Sequence, residues 1–114
     1  MIPKFRAFYE GKMYGVKAVI WTSRGLYVTL DEGNKAGRRV RGAKLMQSTG
    51  LFDVNGKEIF EGDVVRMHSG ELLPVKLHHG MFEPVCYYIS NAFERVGSVF
   101  ENPELLEHPD FREG

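Results

Sequence analysis

Four histidines, His68, His78, His79 and His108, and one cysteine, Cys86, are the side chains of this chain best suited to metal ligation or nucleophilic chemistry. A zinc site combines ligands at short, regular spacing, usually with Cys or acidic partners, and these histidines do not recur in that way. His78 and His79 would point to opposite faces of a strand. Next to Gly80 they read better as solvent-exposed turn residues. Nucleophilic catalysis needs Cys86 or a serine beside a base, and no motif places one there. Cys86 reads as a small hydrophobe in a strand. Glu58, Glu61 and Asp63 gather around a turn, and a general acid–base pair among them is the weaker reading. A hydrolase built on His78 or His79 has only their proximity to a turn behind it. No catalytic residue, no cofactor and no metal site is assigned, and the chain is read as a non-enzyme.

The most suggestive stretch for binding is Lys35–Lys44, KAGRRVRGAK. It carries Lys35, Arg38, Arg39, Arg41 and Lys44 without an acid, and its glycines leave the backbone free to approach a phosphate surface. Arginines on a flexible arm can hold nucleic acid. Against that, the sequence pI is near 6.9 and no aromatic residue interleaves the run for base stacking. A solvated loop, or one that docks on the acidic half of a neighbouring subunit, is the competing reading.

These residues must be positioned by a small scaffold. A chain of 114 residues with 43% hydrophobic and 26% charged content is an ordinary globular domain with one modest core. Neither its apolar runs nor its N-terminus fits a membrane span or a signal peptide, and a single cysteine agrees with a reducing compartment, so the expected location is the cytoplasm. The net charge of zero hides an asymmetry. Residues 1–50 hold ten Lys and Arg against three acids, net +7, and residues 51–114 hold five against twelve, net −7. Such a split suits one half covering the other, opposite faces meeting across subunits, or a basic half meeting an anionic partner.

Lys4–Phe8 alternates, VKAVIW (16–21) is β-branched and aromatic, and Leu26–Leu30 follows a tight Ser23-Arg24-Gly25 connection, so the first third is a β-meander. Asp31–Gly42 holds almost nothing apolar and is expected to be a mobile loop. The chain is organised around LMQSTGLFDVNGKEIFEGDVVRM (45–67). Its Asn55-Gly56 predicts a hairpin with a type I′ turn, Glu61-Gly62-Asp63 a second turn, and Val64–Met67 a strand. Leu51, Ile59, Val64 and Val65 are core candidates. Leu72–Leu77, Met81–Tyr88 and Arg95–Phe100 follow as strands, with Pro74 and Pro84 confined to edges or bulges. Tyr87, Tyr88, Phe93, Phe82 and Trp21 could form an exposed aromatic interaction surface, but read mainly as core; Tyr87 and Tyr88, neighbours on an expected strand, face opposite sides, which leaves room for one of them outside. Asn102 with Pro103 opens one helical turn, Pro103–His108. The sum is a mainly β, antiparallel barrel or roll, a single domain of 1–114 with a meander and basic loop over 1–44 and an SH3-like part over 45–114.

The words LMQSTGLFDVNGKEIFEGDVV resemble the YopX family of small phage and prophage proteins. An opening like Lys4-Phe5-Arg6-Ala7-Phe8, with Phe8 where the family tends to have tryptophan, and a close like RVGSVFENPELL (95–106) agree with it. The resemblance implies a mainly β protein with an SH3-like part, a phage origin and self-association, and it supplies no activity. The expectation is therefore a non-enzymatic phage accessory module that forms a homo-oligomer or meets a phage or host protein, without a membrane. The alternative is a nucleic-acid-binding module using 35–44.

Overall fold

The computed structural model describes residues 4–33, 36–89 and 92–107, in which eleven strands are joined by tight turns and short 3-10 segments. The fold is mainly β, as the sequence predicts, with antiparallel pairings and no closed barrel among these residues. The chain forms two compact units, 1–47 and 48–114.

In the first unit β1 (Phe5–Tyr9), β2 (Lys12–Thr22) and β3 (Gly25–Asp31) form the expected meander, β4 (Arg38–Arg41) extends it by an unexpected strand, and the start of β5 (Lys44–Phe52) returns beside β1. Ala7, Val28, Leu30 and Val40 make a small core, with Tyr9, Tyr14, Leu26 and Leu45 packed against it. Within 31–42, residues 38–41 are not the loop that composition suggests. Arg38–Arg41 pairs with β3, with Val40 opposite Val28, because one apolar side chain at the right register suffices to anchor four residues to a formed edge. Gly37, at φ +72°, turns the chain into this strand; a Cβ there would lie 2.7 Å from the Leu30 carbonyl oxygen.

The second unit has a three-stranded sheet with β7 (Asp63–Met67) between β11 (Phe93–Ser98) and β8 (Leu72–Pro74). The end of β5 pairs with β6 (Glu58–Phe60), and β9 (Lys76–His78) pairs with β10 (Met81–Glu83). Ile59, Val65, Met67, Val75, Val85 and Phe93 form its core, with Leu73 and Phe82 packed on it. The near-continuous apolar run of β7 is the mark of a strand covered on both faces. Ile59, Val64 and Val65 are buried as expected, whereas Leu51 is exposed. Leu72–Leu77 is not one strand: Val75 leaves the ladder, exchanging backbone bonds with Gly62 and Asp63. Pro74 lies on an edge strand, as expected. Met81–Tyr88 is also split, by Pro84, into β10 and a 3-10 turn, Val85–Tyr87, which holds Cys86 in place of a strand. A 3-10 segment, Pro103–Glu107, ends the described chain, and His108 lies outside the described residues.

Turn chemistry departs from the sequence reading in an instructive way. The two-residue hairpins with positive φ at both positions are Glu10-Gly11 (φ +48° and +83°) and His79-Gly80 (φ +51° and +78°). At Asn55-Gly56 only Gly56 is left-handed, at φ +78°. The Asp53 carbonyl accepts from Gly56 N–H, and Asp53 N–H donates to the Lys57 carbonyl. This is a three-residue loop with a type I turn and a glycine bulge. The Asp53 carboxylate decides it: Oδ1 accepts from the N–H groups of Asn55 (2.9 Å) and Lys57 (2.8 Å), and Oδ2 from Arg95 N–H (2.8 Å) on β11.

Candidate functional site

The basic residues singled out by sequence do not form one cluster. Successive strand residues face opposite sides, so Arg39 and Arg41 share one face of β4 and Arg38 takes the other with Val40. Arg38 is engaged: its guanidinium lies 2.8 Å from Glu32, donates to the Tyr14 hydroxyl at 3.3 Å, and stacks over the rings of Tyr9 and Tyr14 at 5.5 and 5.8 Å. Desolvation opposes its charge, but Glu32 and Tyr14 outweigh that and raise its pKa above the ordinary value. Arg41 covers the Tyr27 ring at 5.6 Å. Lys44 opens β5, at the opposite edge of the five strands of this unit, and Lys35 lies outside the described residues. Charged side chains along an edge strand discourage pairing with another chain, and β4 is such an edge.

In the second unit a groove of about 390 Å³ opens between β8 and the β9–β10 hairpin. Leu73, Pro74, Leu77 and Pro84 give it apolar walls, and Lys76, His78 and Glu83 supply its polar groups. Glu83 is held from two sides: the Tyr87 hydroxyl donates to one oxygen at 2.6 Å, and His78 Nδ1 lies 3.4 Å from the other. The hydrogen bond to Glu83 is the main reason that the Tyr87 hydroxyl titrates above its usual range. His78 and His79 do not diverge as strand neighbours would. The left-handed turn at His79 brings their rings edge to face, with centroids 4.0 Å apart. Among the described residues no group of three or more His, Cys, Asp or Glu could hold a metal ion.

The acids near the second turn are structural. Asp63 is fully buried; its carboxylate accepts from Phe60 N–H at 2.8 Å and from Arg95 Nε at 2.9 Å. Arg95 continues to Glu101 at 3.3 Å, and Glu101 accepts from the Ser98 hydroxyl. Asn102 turns back to β11, where its side-chain oxygen accepts from Ser98 N–H.

The profile of the YopX protein family matches residues 4–107. The chain belongs to the YopX family. A search among curated proteins finds no match. Among solved structures, protein EF1440 from Enterococcus faecalis is similar to this YopX protein at 27% identity, with a TM-score of 0.73 over 93% of this chain and 99% of that one. In this YopX chain the central words are accounted for by folding: Asp53, Gly56, Ile59, Asp63, Val64 and Val65 build a turn, a core strand and a buried ion pair.

The exposed apolar surface is larger than in the sequence reading, which ranks it below a core role for most of the aromatics. Trp21 is 77% exposed, and Tyr87, Tyr88 and Ile89 are exposed together after the cis Glu83-Pro84 bond; only Phe93 of the named aromatics is fully in the core. A β-branched run such as VKAVIW carries no signal for where along an eleven-residue strand the covering ends.

Proposed function

We propose that this YopX protein is a non-enzymatic accessory protein of a phage or prophage that acts in the bacterial host cytoplasm by self-association, the basic unit of one copy meeting the acidic unit of another. The observation that carries the reading is where the charge divides. Residues 1–47 contain ten Lys and Arg against three acids, and residues 48–114 contain five against twelve, so the +7/−7 asymmetry follows the boundary between the two compact units. Opposed units of this kind attract across a gap comparable to the Debye length, about 10 Å at 0.1 M salt and about 3 Å at 1 M. Light scattering at two salt concentrations is the test. A mass above the 13.0 kDa of one chain at low salt, falling as salt is raised, is the expected result. A strictly monomeric species at low and moderate salt would overturn it.

A nucleic-acid reading is favoured by one observation, the shared face of Arg39 and Arg41 on an edge strand. It expects the double variant R39A/R41A to weaken binding to all sequences alike and to lower the salt slope by about 1 per lost phosphate contact. Unchanged affinity in a filter-binding titration would remove this strand from consideration. Among the described residues no helix is long and apolar enough to cross a membrane.

A further inference from the structure

We infer that Trp21, at the tip of the β2–β3 hairpin of one copy, is the anchor that seats in the Leu73–Pro84 groove of a second copy. The inference rests on the self-association proposed above and names the surfaces that carry it.

Trp21 is the one tryptophan of the chain and is 77% exposed. It stands opposite Leu26, two residues beyond the Val19–Val28 pair whose Val28 belongs to the core, so the apolar face of the sheet continues past its covering. The tip that presents it is fixed. Thr22 is opposite Gly25; its hydroxyl donates to the Gly25 carbonyl at 2.9 Å and accepts from Arg24 N–H at 3.1 Å. An exposed indole on a tip braced in this way loses little conformational freedom on docking, and tryptophan and arginine are the residues most often found to dominate interfaces.

The groove answers it in size and in apolar lining, and of its two charged groups, Lys76 and Glu83, the second suits Arg24. At about 390 Å³ it falls in the range of about 300–1,000 Å³ that accepts small organic groups. Its apolar walls, Leu73, Pro74, Leu77 and Pro84, suit an aromatic ring, and Glu83 offers a carboxylate to the indole N–H or to Arg24. Tyr87 already orients that carboxylate. The groove belongs to the acidic unit and the hairpin to the basic one, so the attraction between copies brings these two surfaces toward each other. This complementarity is what selects a second copy as the occupant.

Because Trp21 is unique, its fluorescence reports its own burial. Mass and emission are measured together over a concentration series at low salt, for the wild type and for W21A and L77K, both substitutions at exposed positions. The expected result is that Trp21 emission shifts to the blue as mass rises, and that W21A and L77K each weaken self-association by more than about tenfold. Mixing decides the seat. W21A keeps an intact groove and L77K keeps an intact tryptophan, so adding W21A to L77K should restore the blue shift of the one indole present. No shift in the mixture would overturn the groove as the seat. A rise in mass with Trp21 emission still that of a wet indole, or with W21A associating as the wild type does, would overturn this inference and leave self-association standing. Absence of any rise in mass would overturn both. A shift seen only on adding a single-stranded oligonucleotide would overturn it in favour of base stacking by Trp21.

Discussion

Replacing Arg95 with methionine should cost the second unit about 3–5 kcal/mol, the toll of leaving a buried carboxylate without its cation. Asp63 is fully buried, and Arg95 Nε lies 2.9 Å from it. The guanidinium itself reaches the surface, where it also meets Glu101 at 3.3 Å, so its own desolvation is modest and the exposed contact contributes little. The asymmetry predicts an unusual second step. Adding D63N to R95M removes the buried negative charge that has lost Arg95, while a carboxamide oxygen can still accept from Phe60 N–H, so the double variant should be more stable than R95M alone. Urea unfolding followed by circular dichroism checks both. A double variant that falls below R95M would show that the carboxylate is satisfied by its remaining partners, Phe60 N–H among them, without the arginine. Against a total stability of about 5–15 kcal/mol for a domain of ordinary size, the single variant should stay folded at 25 °C unless the wild type lies at the low end of that range, with a clearly lower urea midpoint.

That pair also shows what a sequence can and cannot disclose. The core strand of Val64 and Val65, and Ile59 before it, are legible because an uninterrupted apolar run bounded by turn residues has few alternatives. Asp63 next to that strand looks like one more turn acid, because its cation stands 32 residues later on the strand that pairs beside it. Strand β4 was hidden for a different reason. Four residues with one apolar member have no period to count, and only the register with β3 shows that Val40 completes a core. The five basic residues therefore looked like one arm, while pairing sends Arg38 to one face and Arg39 and Arg41 to the other. The groove was invisible for the converse reason. Its walls come from one stretch, 73–84, which two prolines and Val75 break into pieces too short for any pattern.

The turn at Asp53 leads to the second large effect, and this one depends on pH. Asp53 is nearly fully buried, and its carboxylate accepts three backbone N–H groups, from Arg95, Lys57 and Asn55. Burial pushes its pKa up, but those three bonds together with Lys57 outweigh burial and hold it below the usual 3.8. A depressed carboxylate stabilises the fold fully above its unfolded pKa and loses that contribution as pH falls through the folded value, because the unfolded chain binds the proton first. Stability should therefore fall below about pH 4, and a variant without this carboxyl should lose part of that acid limb. D53A orphans all three donors, and at about 1–3 kcal/mol for each buried one, with water reaching the turn, the loss at pH 7 should be about 3 kcal/mol. D53N should lose less, since its one oxygen can still serve Asn55 and Lys57, but its NH₂ then faces the Arg95 N–H as donor against donor. Urea midpoints from pH 3 to pH 7 for the wild type, D53A and D53N measure this directly. A wild type and a D53N with parallel acid limbs would mean that Asp53 carries no more than its share as a neutral acceptor. In that case Asp53 would act at this turn through geometry alone, as a side chain short enough to bind its own turn and the neighbouring β11 together.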